Sequence, residues 1–257
     1  MAKARIGLQD TQQPEWFASW FDSSHYQRLY AHRDHAEAGR FVDALVNRLR
    51  PANGAKALDL GCGAGRHARQ LASHGMNVTG LDLSEASIRT ARSFEHPRLR
   101  FACHDMRRPF GDDAFDYAFN LFTSFGYFDD PADHLAVVGN MARSLKAGGR
   151  LVLDYLNVGY AEAREIPSET VERDGSTYDI SRWNDAGHFF KRIVVYDGHS
   201  AAPLQHVERV AKFSRHDFEL MFALYGMAVE DVYGDYQLSP YDEGTSTRLI
   251  LIARNTR

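Results

Sequence analysis

The chain has 257 residues, enough for one large core or one core with a small added domain. Its hydrophobic content of 44% and charged content of 25% are those of an ordinary soluble globular protein. The net charge of −4 and the lack of any Lys/Arg run leave no electrostatic footprint for nucleic acid or an anionic membrane.

Residues 1–13 are polar and expected to be loose. From residue 14 to residue 49 the pattern is helical, and Phe41, Leu45 and Leu49, with Val42 and Val46 beside them, form one apolar stripe. Before that stripe lies an aromatic run, Trp16-Phe17-Ala18-Ser19-Trp20-Phe21, then Tyr26, Tyr30 and Arg33. Packing on the core accounts for some of these rings. His32 and His35 share a helical spacing, but no carboxylate or cysteine cluster accompanies them, so no metal site is expected.

Residues 56–60 suit a buried strand, and Gly61-Cys62-Gly63-Ala64-Gly65 then turns sharply into a helix starting at Arg66. Free N–H groups at that helix start point at any ligand held by the turn. The spacing G-x-G-x-G differs from the dinucleotide pattern G-x-G-x-x-G. Asp59, just before the glycines, can accept hydrogen bonds. A second strand over 77–81 ends in Asp82, about 20 residues after the turn, the offset at which an acidic residue meets a ribose in nucleotide folds. Ser84 is a candidate N-cap for a helix over 85–93.

A third strand is expected over 98–103, followed by His104-Asp105-Met106, and a fourth over 114–122. Pro131 opens a helix that Lys146-Ala147-Gly148-Gly149 stops, and a fifth strand spans 150–156. Alternating strands and helices imply parallel pairing through right-handed crossovers. Between 170 and 213 the period changes, with turn signals Asp174-Gly175, Asp185-Ala186-Gly187 and Asp197-Gly198 separating three or four antiparallel strands. Ser214 to Asp217 has the form of a capping box, and the last two strands lie at 227–233 and 247–253. The two cysteines suggest no disulfide framework, and no signal peptide or long apolar run is visible, so a reducing cytoplasmic compartment is expected.

The stretch Asp59 to Gly65, with its D-x-G-x-G-x-G spacing, resembles motif I of the class I S-adenosylmethionine-dependent methyltransferases. Asp82, the His104-Asp105-Met106 segment and the Leu145 to Gly149 turn follow in that family's order. The resemblance covers residues 36–160 and the closing helix, strand and strand. It implies an α/β, Rossmann-like, seven-stranded, mostly parallel sheet flanked by helices, with a small antiparallel β insertion. The expected organisation is a helical cap over 1–50, a donor-binding core over 51–169, the insertion over 170–213, and the core's last helix and strands over 214–257.

The same resemblance assigns roles to residues. The backbone of Gly61, Gly63 and Gly65, with Cys62 between them, would approach the methionine and ribose of S-adenosylmethionine. Asp59 would engage the amino end, Asp82 the ribose hydroxyls, Leu83 the adenine face, Asp105 the adenine amino group and Met106 the ring. Asn120 and Phe122 would lie near the methionine part. The segment after the fourth strand lacks the Asn/Asp-Pro-Pro-Tyr and Pro-Cys sequences of amino-methylating DNA and cytosine-C5 enzymes. It resembles that of small-molecule enzymes. The expected function is methyl transfer to a small polar metabolite by in-line displacement. Alternatives are a protein or RNA methyltransferase, a catalytically silent donor-binding scaffold and a Rossmann dehydrogenase.

An open α/β sheet binds ligands beyond the carboxyl ends of its strands. That rule predicts an acceptor pocket built from Tyr26, Tyr30 and Arg33, from residues 123–127 including Tyr127, and from the loop with Tyr236, Tyr241, Asp242, Ser246 and Arg248. Tyr127 and Tyr26 are the candidates to orient the acceptor, Arg248 to clamp an anionic group, and His25 or His134 to act as base. The alternative is that Arg248 pairs with Asp242 or Glu243 and the tyrosines merely pack. The insertion is expected to cover the acceptor or to make a homodimer contact, with a passive surface sheet as the alternative.

Overall fold

A computed structural model describes residues 15–31, 35–198, 200 and 202–257. The expected loose segment 1–13, and His32 and Arg33, lie outside the described residues. The cap is divided into α1 (Trp16–Phe21), α2 (Ser24–Leu29) and α3 (His35–Leu49). Ser23 forces the first break: its backbone is extended and its side chain accepts the Tyr26 N–H, so it caps α2.

The core alternates as expected: β1 (Lys56–Leu60), α4 (Arg66–Ser73), β2 (Asn77–Asp82), α5 (Glu85–Arg92), β3 (Leu99–Cys103), β4 (Phe115–Asn120), α6 (Pro131–Ser144) and β5 (Leu145–Leu156). Extended backbone begins at Leu145, earlier than the turn residues suggested, because Leu145 pairs with Phe115 of β4. Then come α7 (Val158–Ala163), β6 (Ser168–Arg173), β7 (Ser176–Asn184), β8 (His188–Tyr196), β9 (Leu204–Ala211), α8 (Arg215–Leu224), β10 (Met227–Tyr233) and β11 (Arg248–Asn255).

The main sheet has seven strands in the order β10-β11-β5-β4-β1-β2-β3. β1, β2, β3, β4 and β5 pair in parallel, while β11 is antiparallel to both β5 and β10. The central strands β1, β4, β5 and β11 hold consecutive buried residues, so both faces are covered there, while the edge strands β10 and β3 are partly exposed. Along β11, Leu249, Leu251 and Ala253 join the core under α6 and α8, while Ile250 and Ile252 join the core under α3, α4 and α5. Strand order reverses at β1, so a crevice opens beyond the carboxyl ends of β1, β2 and β4.

The second sheet, β6-β7-β8-β9, is antiparallel throughout and matches the expected insertion. Its Tyr178, Ile180, Ile193 and Val195 pack on Trp20 and Leu29 of the cap, making a third small core. Trp20 is fully buried, and its indole N–H donates to Glu208 Oε1 at 2.7 Å. α1, α2 and the insertion therefore form one layer on the core, whereas α3 packs with α4 against the main sheet. Among the described residues, no helix is long and apolar enough to cross a membrane.

Candidate active site

The floor of the crevice is two turns that hold each other. Gly61 and Cys62 donate their N–H groups to the Leu81 carbonyl at 2.8 and 3.1 Å. Gly63 N–H donates to Asp82 Oδ2 at 2.7 Å, and Ser84 N–H donates to Asp82 Oδ1 at 2.8 Å. All three glycines of the turn have positive φ, but for different reasons. A Cβ on Gly61 would lie 2.6 Å from Ser124 Cβ, and one on Gly65 would lie 2.5 Å from the Phe101 ring. A Cβ on Gly63 would meet nothing within 4 Å. Gly61 and Gly65 are thus demanded by packing, whereas Gly63 borders open space.

Above this floor lies a cleft whose wall and roof are largely aromatic. Phe17, Phe21 and Tyr26 come from the cap, and Phe122, Tyr127 and Phe128 from the segment after β4. Phe21 meets Tyr26 edge-on at 5.0 Å and Tyr127 at 5.1 Å, and Phe17 meets Phe128 at 5.5 Å. The roof is tied down at two points. Asp22 Oδ1 accepts hydrogen bonds from Ser84 Oγ and Ala86 N–H, both at 2.8 Å. Glu15 accepts from the Arg107 guanidinium at 2.7 Å, and the same guanidinium grips Asp105 and Asp133.

The carboxyl groups differ by environment. Burial raises the Asp82 carboxyl, against the pull of the Ser84 and Gly63 N–H groups. Burial would also raise Asp105, but the hydrogen bonds from Arg107 outweigh it and hold that carboxyl below its ordinary range. Asp59 is only 1% exposed and is pushed up to about 7, by burial first and then by the Asp82 charge. A hydrogen bond from the Ala68 backbone and the Arg66 charge oppose that shift.

Gly61, Gly63, Asp82, Leu83, Asp105, Met106, Phe122, Tyr26 and Tyr127 are brought together around this cleft. Asp59, Cys62, Gly65, Asn120 and Arg248 are not among the residues that line it. Asp59 lies beneath the turn with Oδ2 unbonded, and its backbone partner Ala68 is on α4. Cys62 turns away into the core under α3 and α4. Asn120 is fully buried and donates to the Leu60 carbonyl at 2.9 Å.

Arg248 does not line the cleft. Its Nε donates to Asp154 Oδ1 and its Nη2 to Thr123 Oγ1, both at 2.7 Å. Neither Asp242 nor Glu243 is its partner. The loop beside it does not line the cleft: Tyr236 packs on Phe41 at 4.4 Å with the Arg248 guanidinium 5.7 Å over its ring, Tyr241 donates to Asn157 Oδ1 at 3.3 Å, and Asp242 binds its own turn at Thr245. Ser246 Oγ accepts the Asp242 N–H at 2.8 Å within the same turn. Tyr30 donates to Glu208 at 3.0 Å in the lid core, outside the cleft.

The two candidate bases are also elsewhere. His25 lies under the insertion, 3.6 Å from Asp197, and burial lowers its pKa with help from Arg28, against Asp197. His134 is boxed by Phe125, Phe128 and Phe213 at 5.0–5.2 Å, and burial takes it down to about 4. The cleft instead presents Arg66, His67 and His104, to which the sequence assigned no role of their own, together with Ser124 of the expected 123–127 segment. Arg66 and His67 begin α4 directly after the glycines, which was the available signal. The Arg66 guanidinium lies 4.3 Å over the Phe122 ring.

Two outcomes are expected from this geometry. In urea unfolding, Gly63→Ala costs only the left-handed penalty, about 1–2 kcal/mol, while Gly65→Ala adds an overpacking cost of roughly 1–3 kcal/mol against Phe101. Equal losses would show that Phe101 does not set the need for glycine at 65. For His134, the folded pKa of about 4 lies below the ordinary 6.5, so the unfolded chain binds a proton first as pH falls. Its contribution is complete above pH ~6.5 and is lost toward pH ~4. Asp59 acts in the opposite sense, so the measurement is the difference between wild type and His134→Leu. Wild type should lose stability relative to the variant over that window, and parallel pH curves would contradict the neutral buried ring.

Residues 57–149 match the family model described as Methyltransferase domain. The chain is 27% identical to a cypemycin N-terminal methyltransferase of Streptomyces sp, over 84% of this chain and 90% of that protein. It is 35% identical to an O-methyltransferase of Pyrenophora dematioidea, but over only 44% of this chain and 43% of that one. Among solved structures, S-adenosylmethionine-bound CalS10, an amino pentose methyltransferase from Micromonospora echinaspora involved in calicheamicin biosynthesis, superposes with a TM-score of 0.65. That match has 25% identity and covers 91% of this chain and 98% of that one. With its seven-stranded sheet, its glycine turn and these relatives, the chain carries, over residues 57–149, a methyltransferase domain of the class I S-adenosylmethionine-dependent type.

Proposed function

We propose that this methyltransferase moves the methyl group of S-adenosylmethionine onto an amine nitrogen of a small polar metabolite. The observation that carries the reading is the aromatic chamber beside Asp82, which has rings from the cap on one side and from the post-β4 segment on the other. The arginine expected to clamp an anionic acceptor is consumed by Asp154 and Thr123. Ring faces favour an ammonium group and an alkylated ammonium product over a carboxylate. The relatives matched along most of their length include an N-terminal methyltransferase of Streptomyces and the amino pentose methyltransferase CalS10, whose names point to amine-bearing acceptors.

The cleft fits the donor, since the space beyond Gly63 is open and the Asp82 carboxylate borders it, held by two backbone N–H groups. In this reading Asp82 takes the ribose hydroxyls, and Gly61 and Gly63 let the backbone come close to the ribose and methionine. Leu83 and Met106 enclose the adenine, with Asp105 facing its amino group. Arg66, stacked on Phe122, stands nearest in sequence to the glycines and offers a cation to the donor's carboxylate. Asp59, Gly65, Asn120 and Cys62 support the turn from below.

When bound, the donor supplies a methyl group on a sulfonium; the new N–C bond forms as the C–S pair returns to sulfur. An acceptor that arrives as an ammonium first gives up a proton; the neutral amine then brings its own lone pair, so no base acts in the bond-forming step itself, and the methylated product again carries a proton to release. Tyr26 and Tyr127 hold the acceptor in line, and positioning supplies much of the rate. His67 and His104, the cleft imidazoles, are the groups to take up the amine's proton afterwards.

O-methylation is the second reading, favoured by the shared segment with the fungal O-methyltransferase. Incubation with methyl-labelled donor and matched sets of small amines, amino sugars, alcohols and carboxylic acids separates the two. Label should enter the amines, and label confined to oxygen acceptors would overturn the amine assignment.

A further inference from the structure

Phe122 and Thr123 leave β4 with φ of 60° and 57°. Two consecutive left-handed residues with bulky side chains persist only where their surroundings impose that backbone. Here the surroundings are two charged residues from other strands. Asp154 of β5 accepts the Phe122 N–H on Oδ2 at 2.8 Å, and its carbonyl accepts the Thr123 N–H at 3.0 Å. Arg248 of β11 completes the clamp, holding Asp154 Oδ1 with Nε and Thr123 Oγ1 with Nη2. The Asp154 side chain is 0% exposed and that of Arg248 18% exposed.

A buried ion pair gives little net stability over an apolar replacement, so its contribution is shape rather than energy. The shape it fixes bears on both sides of the cleft. Phe122 presents its ring beside Arg66. Ser124 donates to the Leu121 carbonyl at 2.8 Å and packs against Gly61, where no Cβ would fit. Tyr127 donates its hydroxyl to the Thr123 carbonyl and meets Phe21 of the roof. Glycine turn and roof therefore lean on one strained pair of residues.

We infer that Asp154 and Arg248 are positioning residues of the methyl-transfer site, which hold the Phe122–Thr123 turn left-handed and thereby set the wall between donor and acceptor. Neither touches a substrate; both act through the backbone of the turn. The inference rests on the reading of the cleft as the donor site.

The test uses S-adenosylhomocysteine as probe, with affinity from calorimetry and unfolding temperature measured alongside. Wild type, Arg248→Ala, Thr123→Gly and the double variant are compared. Arg248→Ala should bind about tenfold more weakly, equivalent to about 1.4 kcal/mol. The double variant should regain most of that affinity, because glycine adopts the left-handed backbone without strain. Its unfolding temperature should stay low, because Asp154 remains buried without its partner. A double variant as weak as Arg248→Ala, or an Arg248→Ala protein that binds like wild type, would overturn the inference. Should Arg248→Ala fail to fold, Arg248→Gln takes its place with the same rescue and the same criteria. Wild type that does not bind the probe would overturn the reading of the cleft, and with it this role.

Discussion

The hydrogen bond from Gly63 N–H to the Asp82 carboxylate is the constraint on which the rest depends. It joins the end of β1 to the end of β2, at the point where Leu60 stands level with Leu81 in the parallel register. Because strand order reverses at β1, this joint sits where an open α/β sheet has its crevice. Everything functional is placed relative to it. Gly61 lets Ser124 come close, Gly65 lets Phe101 come close, and Gly63 leaves space.

A floor alone would leave a reacting methyl group open to water. The roof is made by parts far apart in the chain, with α1 and α2 docked on the insertion sheet through Trp20, Tyr178 and Ile193. Glu208 accepts from both Trp20 and Tyr30, so the small core carries a polar lock as well. Two carboxylates then attach the roof to the floor, Asp22 at the start of α5 and Glu15 at Arg107. Asp22 reaches Ser84, two residues from Asp82, so the roof's attachment and the floor's carboxylate share one turn.

The fold was legible because its signals are local. Strand and helix periods, the glycine turn, the acidic residue ending β2 and the change of period at the insertion each occupy a few consecutive residues. The cleft residues Gly61, Gly63, Asp82, Leu83, Asp105 and Met106 belong to the same local signals. What sequence could not show is which charged and ionisable groups are already spent. Arg248 looks like a free cation until β11 pairs beside β5 and Asp154 takes it. His134 looks like a base until Phe125 and Phe128 of the post-β4 segment and the distant Phe213 close around it. The need for glycine at 65 reads as ligand approach and proves to be packing against Phe101. These are long-range facts of packing, and no periodicity records them.

The most direct measurement is a calorimetric titration of S-adenosylhomocysteine into wild type and into Asp82→Ala, with folding of the variant checked by thermal unfolding. Asp82 holds the glycine turn, and in the proposed reading its carboxylate takes the ribose, so its loss should weaken binding by roughly 1.5–3 kcal/mol, the range for hydrogen bonds to a charged group. Equal affinity in a folded Asp82→Ala protein would contradict the placement of the donor on this turn.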